Sequence, residues 1–277
     1  LDSLQKICLM HGIEVDYYKK LFQTAGNIIE LIEKDDIPKY LLFLENVFPY
    51  MDNYNYQKGM KAIIQELKNF LKRKDIGTDS DRALLLDFQA TLEIKPEKAM
   101  KLEKDALALI TEITEDNAHL VSNLHSNLGG LYRMNGYPDL AMEHMEKGLF
   151  LLEQYNLLYT HDGIPQATNY AMFLTEQQAP EKGISVLQKL SKSIKEYNSD
   201  CCLDYATVQE TLGTIYLMIA NLPQAKTHFK RACKIYEKIW ADEPEMIEKK
   251  YLEIQELYPQ VGFFLGQQLS NFLTKQT

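Results

Sequence analysis

The stretch Ser122–Tyr155, SNLHSNLGGLYRMNGYPDLAMEHMEKGLFLLEQY, decides the fold. It reads as two amphipathic helices on either side of a tight turn at Asn135-Gly136-Tyr137-Pro138. Gly129, Tyr132, Ala141 and Gly148 sit where one helix must press close to another. Ala206–Trp240 repeats the pattern, with Gly213, Tyr216, Ala225 and Ala232 in the matching places.

Small residues at the expected helix crossings extend the pattern. Ala99 and Ala106, Ala141 and Gly148, and Ala225 and Ala232 each lie seven apart; Gly183 and Leu190 keep the spacing with one small residue lost. The first members of the pairs step by 42 residues over four copies, the signature of an internal repeat. The first helix of a pair carries a small residue where its partner crosses (Gly129, Ala171, Gly213), and a larger one three positions on fills the gap (Tyr132, Leu174, Tyr216). A proline just inside the second helix has no amide hydrogen to leave unpaired. One such pair cannot bury its apolar faces, so copies must stack. The copy beginning at Ser80 diverges: Asp87 stands where a small residue is expected and Glu103 where a large apolar one is.

Outside the repeats, three- and four-residue apolar steps predict a helix over Glu14–Lys34, and a second runs from Pro38 to about Tyr50. A third covers Tyr56–Arg73, and Ser80 or Asp79 is expected to cap the helix that follows. Pro38–Lys72 reads as a candidate older copy of the repeat with Gly59 at its crossing. After Trp240, expected to pack under the next loop, Ala241–Pro244 opens a helix that Pro259 interrupts or restarts. Apolar residues from Val261 to Leu273 then either cap the open end of the stack or offer a surface for a partner or a second copy. The expected organisation is divergent helices over 1–79, four repeats at about 80–121, 122–163, 164–205 and 206–240, and capping helices over 241–277.

The 277-residue chain carries a net charge of -9, and its short basic clusters, such as Lys72-Arg73-Lys74, lie among acids. A nucleic-acid binder needs a basic stripe, so nucleic acid is not an expected partner. No apolar run approaches the roughly 20 residues that cross a bilayer, and no membrane role is expected. Cys8, Cys201, Cys202 and Cys233 form no CxxC pair, which fits free thiols in a reducing cytoplasmic compartment. Leu1 in place of Met predicts a chain cut from something longer.

The pattern N-L-G-x-L-Y…G-Y…A…A/G resembles the tetratricopeptide repeat, and its 42-residue period resembles the repeats of kinesin light chains and related bacterial signalling proteins. The run Phe229–Lys238 followed by Asp242-Glu243-Pro244 is similar to that subtype, and the resemblance covers about Ser80–Pro244. It implies an all-α fold, a right-handed solenoid of stacked antiparallel helix pairs, with first helices lining a groove that binds peptide segments. Carried over position by position, the groove presents Asn123, Ser126, Asn127, Gly130, Arg133 and Met134 from one repeat. The next gives Thr168, Asn169, Met172, Thr175 and Glu176, and the last gives Thr207, Glu210, Thr211, Thr214, Leu217 and Met218. Asn127 and Asn169 match the family's backbone-binding amide, although a helical Asn is equally well solvated or bonded to a neighbour. Met134, Met172 and Met218 fit either an adaptable groove floor or ordinary core. The places where one subtype carries a Lys and Arg clamp for a terminal carboxylate hold Ser126, Gly130, Thr168 and Met172, so that clamp is absent.

Catalytic chemistry is not expected. None of the six His forms an HExxH motif or an i,i+4 pair, and no metal or other cofactor is implied. His144 and His228 share one repeat position, where packing is the simpler explanation. GxxxxGK[ST], GxGxxG and GxSxG do not occur. The expected function is protein or peptide binding, as the sensor or scaffold part of a larger cytoplasmic protein with an effector domain before Leu1. The alternatives are self-association through the C-terminal helices and, more remotely, an enzyme using the solenoid as an active-site wall.

Overall fold

The computed structural model describes residues 57–73, 77–160, 163–197 and 202–259. The expected helices over Glu14–Lys34 and from Pro38 to Tyr50, the apolar run after Val261, and Cys8 and Cys201 lie outside them. Every regular element among the described residues is an α-helix. In chain order they are α1 (Gln57–Arg73), α2 (Asp79–Thr91), α3 (Pro96–Leu109), α4 (Ala118–Met134), α5 (Pro138–Gln154), α6 (Gly163–Glu176), α7 (Pro180–Tyr197), α8 (Leu203–Met218), α9 (Leu222–Ile239) and α10 (Pro244–Leu257). The second helix of each pair starts at Pro96, Pro138, Pro180 and Leu222, a constant step of 42 residues.

The turns within the pairs repeat as closely. Gly136, Gln178 and Ala220 have φ of 77°, 62° and 58°, in the left-handed region. Around each, the amides of Tyr137, Ala179 and Asn221 donate to the carbonyls of Tyr132, Leu174 and Tyr216, five residues back, at 3.0, 2.9 and 2.7 Å. This Schellman closure satisfies carbonyls that the helix end leaves open, and it turns the chain sharply into the next helix.

Helix starts are capped locally. Thr78, rather than Ser80 or Asp79, caps α2: its hydroxyl accepts from the Asp81 amide at 3.2 Å, and the Asp81 carboxylate accepts from the Thr78 amide at 2.6 Å. The reciprocal bond places the cap where both partners lie three residues apart. Cys202 caps α8 through Sγ, which accepts from the Tyr205 amide at 3.4 Å.

The chain forms two compact units, residues 1–144 and 145–277, with the division inside α5. In the first, Met60, Leu67, Phe88, Leu120 and Leu124 gather α1 to α4 around one core. In the second, Ala171, Leu187, Phe229, Ala232, Ile247 and Tyr251 do the same for α6 to α10. The eight paired crossing positions read from the sequence, Leu190 among them, are buried. A Cβ on Gly213 would lie 2.9 Å from the Phe229 ring, and one on Gly183 would lie 2.5 Å from the Ala171 carbonyl oxygen. Glycine is therefore what lets α9 close on α8 and α7 close on α6. Trp240 stacks on Tyr236 with ring centroids 5.1 Å apart.

Candidate functional site

The candidate site lies in the second unit, on α8. Thr207, Glu210, Thr211 and Thr214 fall on one face at three- and four-residue spacing. With Met172 from α6, Tyr236 from α9, Lys250 from α10 and Tyr258 beyond α10, they line a pocket of about 240 Å³.

Glu210 is its centre. The Tyr236 hydroxyl donates to Glu210 Oε2 at 2.8 Å. Lys250 Nζ lies 3.2 Å from Glu210 Oε2 and 3.5 Å from Glu253 Oε2, and 5.6 Å from the centroid of the Tyr236 ring. The Glu210 and Lys250 side chains are 17% and 20% exposed, so the pair is partly desolvated and less screened by salt than a surface bridge. Burial, followed by the Glu210 charge, pushes the Tyr236 phenol far above its ordinary range. Thr214 Oγ1 lies 3.1 Å from the Glu210 carbonyl oxygen and 2.9 Å from the Tyr258 hydroxyl.

Behind the pocket Cys233 is fully buried, and burial raises its thiol to about 12. It is held as a thiol near neutral pH, the opposite of a poised nucleophile. On the other flank Gln209, 1% exposed, accepts from His228 Nδ1 at 2.9 Å and from Arg231 at 3.2 Å, and donates to Ser191 at 3.2 Å. His228, stacked on Tyr216, is pulled down to about 4 by burial and by the Arg231 charge. This network ties α7, α8 and α9 together and leaves the opposite face of α8 to the pocket.

Of the residues read from the sequence, Met172, Glu210 and Thr214 come together in this pocket, with Thr207 and Thr211 beside them. Asn169 and Glu176 are exposed on α6. Met218, 48% exposed, lies at the end of α8 and does not line the pocket. Thr168 and Thr175 are buried, and their hydroxyls donate to the carbonyls of Ile164 and Ala171. Both lie on the side of α6 that carries buried Ala171, and neither lines the pocket.

In the first unit Asn123 is half-buried with Nδ2 3.3 Å from His119, and Ser126 and Arg133 are half-buried. Gly130 has open space around it, and Met134 is 80% exposed, so Met134 is not core. Asn127 donates to Asp87 Oδ1 at 2.8 Å. Tyr236, Lys250 and Tyr258 escaped the sequence reading. They come from the second helix of the last pair, from α10 and from the residue that follows α10, whereas the repeat pattern points only to first helices. Among the described residues no group of three or more His, Cys, Asp or Glu could hold a metal ion, and no helix is long and apolar enough to cross a membrane.

These features define a helical-repeat protein with a pocket built on its paired helices. Residues 164–238 match the tetratricopeptide repeat family, so that part of the chain is built of tetratricopeptide repeats. The chain's fold is similar to that of BtubC (BKLC) from P. vanneervenii: TM-score 0.60, 17% identity, 79% of this chain and 90% of the other covered. A putative kinesin light chain from Podospora anserina, with nearly identical repeats of this kind, gives a TM-score of 0.54 at 14% identity, covering 71% and 96%. A Rap protein complexed with Competence and Sporulation Factor gives 0.52 at 17% identity, covering 94% and 75%. No curated protein matches the sequence.

Proposed function

We propose that the chain is a protein-interaction module whose second unit holds a segment of a partner polypeptide over the pocket on α8. The observation that carries this reading is the convergence of Met172, Glu210 and Thr214 with Tyr236, Lys250 and Tyr258 around one opening. A recess of about 240 Å³ suits one side chain of an extended segment rather than a large cofactor. Its charged groups are already paired, which fits recognition better than acid–base catalysis, where a free group of tuned pKa is needed. A Rap protein of similar fold is complexed with a separate factor, which supports ligand binding as a use of this architecture. The net charge of -9 favours protein over nucleic acid as the partner. A sensor or scaffold role within a larger cytoplasmic regulatory protein is the setting we infer for such a module.

Photo-crosslinking tests the reading. Benzoylphenylalanine placed at Met172 should label a captured polypeptide from a cell extract. The same probe at Phe150, 63% exposed on α5, should not. Equal labelling from both positions, or none from Met172, would move binding away from the pocket.

A further inference from the structure

The donors and acceptors of the pocket are unevenly distributed. The Thr207 and Thr211 hydroxyls donate to the carbonyls of Leu203 and Thr207, one turn back, at 3.0 and 2.9 Å. Thr214 Oγ1 lies within reach of both the Glu210 carbonyl and the Tyr258 hydroxyl, and its single proton serves one of them. Tyr236 donates to Glu210. The hydroxyl protons of Thr207, Thr211, Thr214 and Tyr236 are thus used within the protein, while threonine lone pairs and the Glu210 carboxylate line the recess. Lys250 supplies the ammonium, and both Glu210 and Glu253 hold it.

Two carboxylates on one ammonium leave a local excess of negative charge, and the lining offers acceptors. We infer that the pocket is a subsite for a cationic side chain, lysine or arginine, of the partner segment. Such a group brings several donors and a positive charge, and it matches Glu210, Thr207 and Thr211 together. The Met172 thioether is placed to cover the aliphatic stem of such a side chain, as long cations prefer. Lys250 acts as the internal stand-in that the incoming cation competes with for Glu210. The acidic chain as a whole would draw in a basic segment.

The inference rests on the pocket being a polypeptide site, and one experiment separates the two. A random octapeptide mixture is passed over the immobilised full chain, and retained peptides are sequenced. Lysine or arginine should be enriched at one position. The best peptide should bind about tenfold to a hundredfold more weakly to Glu210→Gln, which keeps an acceptor for Tyr236. Lys250→Met should bind it more tightly. Thr207→Val/Thr211→Val, which removes the lone pairs at constant shape, should weaken it and serves if Glu210→Gln fails to fold. Enrichment of acidic or apolar residues, or unchanged affinity in the variants, overturns the cationic subsite and leaves peptide binding standing. Retention of no peptide overturns both.

Discussion

Asp87 and Glu103 meet at the helix crossing that Gly213 and Phe229 fill three repeats later. In the later copy a missing side chain makes room for a buried ring. In the early copy two carboxyl groups face each other instead, and Asn127 donates an amide hydrogen to Asp87. Glu103 is 2% exposed, and its Oε2 has no partner among the described residues. Burial first, and then the charge of Asp87, pushes the Glu103 carboxyl well above the usual carboxylate range. Two such groups in contact cannot both ionise, so they share a proton at neutral pH.

That proton makes stability depend on pH. Glu103 is protonated in the folded state at pH values where the unfolded chain has released the proton, so folding takes up a proton. The contribution is full below the ordinary glutamate range and is lost as pH rises toward the raised folded value. This one group can reduce stability by up to about 1.4 kcal/mol per pH unit in that window. Glu103→Gln, neutral at every pH, should flatten the decline. Urea unfolding at pH 5.5, 7 and 8.5 checks this: the gap between variant and parent must widen in the variant's favour with pH. Parallel curves would mean that Glu103 ionises as it does in water.

His228 has the opposite sign. Its folded value of about 4 lies below that of a free imidazole, so its contribution to stability is present above about pH 6.5 and lost as pH falls toward 4. NMR titration of the imidazole should give a midpoint near 4, moving upward in Arg231→Met as the charge beside it is removed. A midpoint above 6 would show that burial and the Arg231 charge do not hold the ring neutral.

Two glycines should respond oppositely to the same change. Gly130→Ala meets nothing within 4 Å and should stabilise α4 by up to about 1 kcal/mol through helix propensity. Gly213→Ala drives a methyl to 2.9 Å from the fully buried Phe229 ring, so packing strain of about 1–3 kcal/mol should outweigh that gain. Thermal melts of the two variants must shift in opposite directions; an equal rise in both would show that the α8–α9 crossing has room to spare.

Most of the helical plan was legible because it rests on periodicity. Small residues at fixed spacing marked the crossings, and a proline marked the start of the second helix at Pro138. The site was legible only in part. Glu210, Thr214 and Met172 could be placed on their faces by repeat position. Thr168 could not, because it holds the same position as Glu210 but is buried. Lys250 and Tyr258 enter through the packing of α10, which lies outside the repeat and follows no pattern that a sequence reader can count. The turns gave a subtler difficulty. Asn135-Gly136 announces a left-handed residue, whereas the equivalent Gln178 and Ala220 give no such signal, because tertiary packing forces on them a conformation they do not favour.

That forced conformation yields the last prediction. Ala220 at φ 58° and Gln178 at φ 62° place a Cβ close to the following carbonyl oxygen, a strain of roughly 1–2 kcal/mol that glycine does not feel. The matching residue in the preceding repeat is Gly136, so the backbone there accepts glycine without change. Ala220→Gly and Gln178→Gly should therefore each stabilise the second unit. The net gain should be about 0.5–1 kcal/mol, because glycine also loses more chain entropy on folding. Gly136→Ala should destabilise the first unit by a similar amount, although open space surrounds the site and no clash is involved. Urea midpoints with unchanged slopes are the measurement, since a constant slope excludes a change in the unfolded chain's compactness. If both glycine variants lose stability, the Schellman closure of Ala179 on Leu174 and Asn221 on Tyr216 must depend on the side chains at 178 and 220 rather than on backbone handedness.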